Sequence, residues 1–243
     1  MSRFFIRSDY IFNDLNGNTT YDRDGEIYWT PERIRASEIF QYPVYQFVAS
    51  CVRKSKIRSP LVGDVGCGAA YKGLKLLASI TENYCGLDQP NVIQILRDRY
   101  PRVNWVEADF ENDALPLAGS FDFIVCSDVI EHLVRPDLFL DKLKTLLKPD
   151  GILFLSTPDR FLLRGPKAIK SPNLKHIQEW SADEFDRFIS SAGLLIEQRI
   201  YLPPMRLRLH SLGAYFRHRF TQLLSPKLAW KYNYLLVLKM PSN

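Results

Sequence analysis

The sequence predicts an α/β fold: a doubly wound sheet, mostly parallel with an antiparallel last strand, carrying helices on both faces. Three observations predict it. From about Leu61 onward, short apolar runs alternate with helical patterns, the signature of strand–helix units feeding a parallel sheet. Runs such as Phe123-Ile124-Val125-Cys126 and Ile152-Leu153-Phe154-Leu155 are apolar on successive residues, which places protein against both faces of each strand. The Leu61–Val65 run also leads straight into a glycine-rich turn that opens a helix.

Taken in order, residues 1–57 hold a polar, aromatic stretch and then a helix opened by Thr30-Pro31 and interrupted at Pro43, which reads as an N-terminal helical cap over a pocket. Residues 58–243 form the main domain. Its expected strands are Leu61–Val65, Tyr84–Asp88, Val103–Ala108, Phe121–Ser127 and Gly151–Ser156. A helix over Asp137–Leu147 presents Phe139, Leu143 and Leu146 on one face and stops at Lys148-Pro149-Asp150-Gly151. Ser181-Ala182-Asp183-Glu184 is a capping box that starts a helix running to Gly193. Leu194–Leu202 and Tyr232–Met240 follow as strands, and joining them without a crossover helix makes an antiparallel edge. Between them, at about 203–230, Met205, Leu209, Leu212, Phe216, Phe220 and Leu223 recur at helical spacing among arginines, an amphipathic basic insertion.

Charge is uneven along the chain. After Glu197 there is no acidic residue and eight basic ones, which leaves residues 1–197 carrying −3 of the net +5. That basic C-terminal segment fits an anionic partner, RNA or a membrane surface among them, while no DNA-reading motif stands out. No apolar run approaches the ~18 residues of a membrane span, and charge breaks the N-terminal apolar stretch too early for a signal peptide, so a cytoplasmic location is expected. The four cysteines form no Cys-x-x-Cys pair, which points to reduced thiols and neither a zinc site nor a disulfide framework.

The chemistry starts at Leu61-Val62-Gly63-Asp64-Val65-Gly66-Cys67-Gly68-Ala69-Ala70. Gly66 and Gly68 let the backbone bend and approach a ligand with no Cβ in the way, and the helix that follows offers free N–H groups to an anion. Asp88 closes the second strand about twenty residues on, where an acid can accept both hydroxyls of a ribose. A dinucleotide dehydrogenase shares this layout, but Tyr71 stands where its third glycine belongs. Asp64 would also sit badly beside a pyrophosphate, whereas it suits the ammonium group of a methionine moiety.

With these residues the sequence resembles the class I S-adenosylmethionine-dependent methyltransferases, whose fold is Rossmann-like, over about residues 60–202. The resemblance rests on the Asp64–Gly68 loop with Cys67 inside it, Asp88, Glu107-Ala108-Asp109-Phe110, Phe121–Leu133 and Leu147-Lys148-Pro149-Asp150-Gly151. It implies S-adenosylmethionine as methyl donor, with Asp109 accepting from the adenine amino group, Phe110 packing on the ring and Ser127 touching the methionine part. Ala70 departs from the pattern, since a third glycine is common there.

On the acceptor side, Ser127-Asp128-Val129-Ile130-Glu131-His132 follows the fourth strand, and a helical start would put Asp128, Glu131 and His132 on one face. His132 and His176 are the candidate general bases. His176 lies in Lys175-His176-Ile177-Gln178-Glu179-Trp180, which resembles the acceptor-bordering loop of ubiquinone-type O-methyltransferases. In some relatives an acid-x-x-Glu-His run plus a later histidine holds a divalent metal. Asp128, Glu131, His132 and His176 match in type, but the run is common without metal, and the sequence assigns none. No Asn- or Asp-Pro-Pro-aromatic run follows the fourth strand and no Pro-Cys pair appears, which disfavours nucleic-acid amino groups and base carbons as acceptors. The expected acceptor is a small molecule, lipid or sugar, methylated at oxygen. The alternatives are an RNA hydroxyl held by the basic segment, and a non-catalytic scaffold that binds the donor.

Overall fold

The computed structural model describes residues 3–13, 31, 34, 37, 40–112, 115–202 and 233–241. The amphipathic pattern at 203–230, and with it most of the basic C-terminal segment, lies outside the described residues.

Seven strands form one sheet: β1 Val62–Val65, β2 Tyr84–Asp88, β3 Asn104–Glu107, β4 Phe121–Ser127, β5 Leu147–Pro158, β6 Leu195–Leu202 and β7 Asn233–Lys239. Their order is β3-β2-β1-β4-β5-β7-β6. The first five pair in parallel. The last strand, β7, runs antiparallel to both β5 and β6, so it lies within the sheet and leaves β6 at the rim rather than forming the edge itself. Among the described residues, the α-helices that follow Gln41 are α1 Tyr42–Lys54, α2 Tyr71–Leu76, α3 Pro90–Arg99, α4 Pro136–Leu146, α5 Arg160–Arg164 and α6 Ala182–Ser191.

The unbroken apolar runs of β4 and β5 feed two separate cores, as strands buried on both faces must. Ile124 and Cys126 pack with Phe139 and Leu143 of α4 and Phe185 and Ile189 of α6. Val125 and Phe154 pack on the other face with Val48 of α1 and Ile93 of α3. A register shift between Phe121 and Phe123 lets those two odd-numbered residues serve opposite cores. The capping box opening α6 is formed in both directions, Ser181 with the Glu184 amide and Glu184 with the Ser181 amide. Among the described residues no helix is long and apolar enough to cross a membrane, and all four cysteines are unpaired.

The N-terminal stretch serves both halves of the molecule. Pro31, Ile34, Ser37 and Phe40 are helical, Gln41 turns, and Pro43 then falls in the first turn of α1, which packs on the α3 side of the sheet. Residues 3–13 lie instead along the loop that precedes α6. Sheet order reverses between β1 and β4, and the turns after β1, β2, β3 and β4 all leave the carboxyl edge of the parallel strands, where that switch point lies.

Candidate functional site

At the end of β1 the chain bends through Gly66 at φ 75° and Gly68 at φ 56°, left-handed values that glycine adopts without a Cβ penalty. A Cβ on Gly66 would also lie 2.3 Å from Val129 Cγ2, just beyond β4. The Gly66 and Cys67 amides donate to Leu87 O at 2.8 and 3.2 Å, and the Gly68 amide donates to Asp88 Oδ2 at 2.7 Å, so the loop is tied to the end of β2. Asp88 Oδ1 accepts from the Gln89 amide at 2.8 Å. Burial pushes the Asp88 carboxyl up to about 6, against the pull of those two N–H groups.

Ala70, where a glycine is common in the resembled family, is itself left-handed at φ 55°. An L-residue there costs about 1–2 kcal/mol, partly recovered through the stiffer unfolded chain. Ala70→Gly is therefore expected to stabilise the protein by up to about 1 kcal/mol in chemical denaturation; a destabilised variant would show that the turn carries no such strain.

Asp64 departs from its expected role. It is fully buried, and its two oxygens accept from Tyr45 Oη at 2.7 Å and Tyr84 Oη at 2.8 Å. Burial raises its carboxyl to about 6, with the two tyrosine bonds pulling the other way. A carboxylate this enclosed has no surface to offer a ligand ammonium; it braces the loop from beneath by joining α1 to β2. Neither tyrosine carries a local sequence signal.

Helix α2 approaches this cage at Gly73, whose added Cβ would lie 2.1 Å from Tyr84 Oη and 2.4 Å from Asp64 Oδ2. Tyr71, at the third-glycine position of a dinucleotide fingerprint, is 39% exposed and obstructs nothing. Gly73 supplies the close helix–strand approach two residues later. Gly73→Ala forces the Tyr84–Asp64 pair apart, at about 1–3 kcal/mol for overpacking and about 1–3 kcal/mol for the buried hydrogen bond, less about 1 kcal/mol of helix propensity. A loss of roughly 2–4 kcal/mol is expected from denaturant midpoints; an unchanged midpoint would mean that the helix stands off.

The other residues expected to meet the donor sit where their strands end. Asp109 closes its own turn, accepting from the Glu111 and Asn112 amides at 2.9 and 3.2 Å and from Asn112 Nδ2 at 2.8 Å. Phe110 is 8% exposed and packs on Phe139 at 5.3 Å between centroids, so most of its ring belongs to the core. Ser127 Oγ and Ser156 Oγ lie 2.9 Å apart, within hydrogen-bond distance. Cys67 is buried beneath the loop, and burial raises its thiol well above the ordinary range.

Beyond β4 the expected helical start does not form at once. Asp128 is left-handed at φ 55°, which breaks any helix there, and a single 3-10 turn follows over Ile130–His132. Asp128 accepts from Ser156 Oγ at 3.2 Å, while Glu131 and His132 turn to meet His176. One ligand-type atom from each of Glu131, His132 and His176 lies within 4.8 Å of the others. Glu131 is fully buried; Oε2 accepts from Thr157 Oγ1 at 3.1 Å and Oε1 has no hydrogen-bond partner. Burial, reinforced by the Asp128 charge, raises its carboxyl well above the usual range.

The two imidazoles meet edge to face at 4.7 Å. His132 Nδ1 lies 2.8 Å from Lys175 O, and a carbonyl only accepts, so that nitrogen carries a proton, which in the neutral ring leaves the lone pair on Nε2. His176 Nδ1 lies 2.7 Å from Glu179 Oε1. Burial alone would push the Glu179 carboxyl up, but its bonds to His176, Arg164 and Ser171 outweigh that and hold it down at about 2. Glu179 is therefore an ionised acceptor, and His176 too presents Nε2 as its basic nitrogen. Glu179 was missed in the sequence, although its spacing from His176, i to i+3, was there to be read.

Residues 49–199 match the family model of a methyltransferase domain. The chain is similar to a probable S-adenosylmethionine-dependent methyltransferase of Mycobacterium tuberculosis, 31% identical over 184 residues, 74% of this chain and 61% of that protein. It is similar also to the ubiquinone biosynthesis O-methyltransferase of Colwellia psychrerythraea, 29% identical over 138 residues, 54% of this chain and 56% of that one. The matches thus span little more than half the length of these relatives. A SAM-dependent methyltransferase structure from Aquifex aeolicus superimposes with a TM-score of 0.57 at 17% identity, over 90% of this chain and 98% of that one, a likeness of fold.

Proposed function

The chain belongs to the class I S-adenosylmethionine-dependent methyltransferases, and from that premise we propose that it transfers the donor's methyl group to a hydroxyl oxygen of a small-molecule, lipid or sugar acceptor, with His176 and His132 as the bases that take up the hydroxyl proton. On this reading Asp88 accepts the ribose hydroxyls, the Gly66–Gly68 backbone receives the methionine end beside Ser127, and Asp109 with the rim of Phe110 meets the adenine. Displacement at a sulfonium methyl has a good leaving group, so holding donor and acceptor in line supplies about 7–11 kcal/mol of the barrier reduction. A hydroxyl also needs a base, typically adding ~10²–10⁴-fold, whereas a neutral amine does not.

One observation carries the oxygen reading: two adjoining imidazoles beside the β4 end of the switch point, each with Nδ1–H engaged by a fixed acceptor, and hence each with a basic Nε2. The test incubates the protein with methyl-labelled S-adenosylmethionine and a panel of phenols, catechols, sugars and amines. Labelled ethers support the reading; labelled amines alone overturn it, and S-adenosylhomocysteine binding with no labelled product would leave a scaffold.

A second reading concerns a divalent cation. Glu131, whose Oε1 is buried and unpartnered, brings a ligand-type atom within 4.8 Å of one from each of His132 and His176, which fits such a cation, so these three residues would be its holders. Such an ion supplies Lewis acidity toward vicinal hydroxyls. Metal content of the purified protein, before and after chelation, decides between base and ligand for the histidines.

A further inference from the structure

Residues 3–13 and the loop before α6 are about 160 positions apart in sequence and laced together in space. The Ile11 amide donates to Ile169 O at 2.7 Å and the Asn13 amide to Ile177 O at 3.1 Å. The Asn13 side chain goes further: Nδ2 faces three carbonyls of one turn, Ser171 O at 3.3 Å, Asn173 O at 3.0 Å and His176 O at 2.8 Å. Asn13 is 3% exposed, and its Oδ1 is buried with no partner. Three acceptors on one side admit only the NH₂ end, so the amide holds this orientation even though its own oxygen is left unsatisfied.

The same turn is closed from its other side by Glu179, which accepts from Ser171 Oγ at 2.6 Å and from His176 Nδ1 at 2.7 Å. The Glu179 amide in turn donates to Tyr10 Oη at 3.0 Å, and the Tyr10 ring lies 5.1 Å beneath the Arg160 guanidinium. Ser171, His176 and Glu179 thus face one another within a nine-residue turn in which the Ser171, Asn173, His176 and Ile177 oxygens meet a strap from the far end of the chain. The turn is exposed over Pro172–Leu174 but buried at Ser171 and His176, and without those donors the carbonyls of its buried ends would be stranded or rearrange to reach water.

We propose that Asn13 is a positioning residue for the acceptor half of the site: by pegging the carbonyls of the 171–177 turn it holds His176 against Glu179 and so sets which ring nitrogen is basic. The strap over Tyr10–Asn13 is then part of the acceptor site, and the chemical role of this placement rests on the reading of His176 as a base. Asn13→Asp, of the same shape, sets a carboxylate against three carbonyls and should be worse than Asn13→Ala.

The test is nitrogen NMR of the protein with ¹⁵N-labelled histidine at one fixed, mildly alkaline pH; the chain has four histidines, so ring signals are few. In the native protein His176 should show one dominant tautomer with the proton on Nδ1. In Asn13→Ala the two ring nitrogens should move toward a common averaged shift, and the Glu179 amide should exchange about tenfold faster or more. A cooperatively melting Asn13→Ala protein that keeps the native tautomer overturns the proposal, whatever its melting temperature. Should Asn13→Ala fail to fold, Tyr10→Phe keeps the ring under Arg160, removes one bond to the same turn, and is read in the same way. The tautomer does not depend on methyl transfer: if it shifts while turnover stays unchanged, the base assignment falls and the positioning role stands.

Discussion

Asp88→Ala is expected to abolish the thermal stabilisation that S-adenosylhomocysteine gives the native protein. Hydrogen bonds to a charged group contribute about 1.5–3 kcal/mol each, and two ribose hydroxyls on one carboxylate make about 3–6 kcal/mol, a loss of ~10²–10⁴-fold in affinity. At a ligand concentration of ~100 Kd the native gain is about 2.7 kcal/mol, and a hundredfold weaker site keeps only about 0.4 kcal/mol of it. The unliganded variant should melt close to the native protein, because the substitution removes the acceptor of the Gly68 and Gln89 amides but also a carboxylate that burial disfavours. A full thermal gain in Asp88→Ala would place the ribose elsewhere.

The same carboxylate predicts a pH dependence. Its folded value, about 6, lies above the ordinary 3.8, so burial stabilises the protonated form of the free protein. The contribution to folding stability is present in full below the ordinary value and is lost as pH rises toward 6. Donor binding has the opposite sign, since the ribose hydroxyls need the ionised form. Affinity for S-adenosylhomocysteine should therefore fall by up to about tenfold per pH unit below 6, measured by titration calorimetry; flat affinity from neutrality down to the ordinary carboxylate range would remove Asp88 from the contact.

His176→Ala should lower kcat by ~10²–10⁴-fold for an oxygen acceptor and leave S-adenosylhomocysteine affinity unchanged. Glu179→Gln keeps the shape but removes the charge that fixes the Nδ1 proton, so its loss should be smaller and again confined to kcat. Equal losses in kcat and donor affinity would reassign the dyad to holding the fold. His132→Ala separates the two imidazoles: if it proves the more damaging, the base is His132 and His176 its neighbour.

Strands β2 and β4 were legible to the residue because local turn signals bound them: Asp88 before Pro90, and Gly119-Ser120 before Phe121. The α6 capping box was equally legible, its two reciprocal bonds spanning three residues. β5 begins four residues before the expected Gly151, since Leu147 pairs with Phe121 across a bulge that no local pattern announces. His132 and His176 were each legible as candidates, and the resembled metal-holding pattern grouped them with Glu131; the edge-to-face contact of the rings was not legible, because it joins segments far apart in sequence.

The sequence by itself determined the strand–turn–acid layout, the doubly wound sheet with its antiparallel last strand, and the residue types gathered at the carboxyl ends of the strands. Periodicity and turn chemistry act over a few residues, so they are written where they act. Only the tertiary structure decided which groups hold each acid. Asp64 and Asp88 stand in the same strand-end context, yet two tyrosines from α1 and β2 enclose the first, while backbone amides hold the second at the switch point. Burial and pairing come from surfaces that meet only when distant elements pack, and no spacing along the chain encodes them.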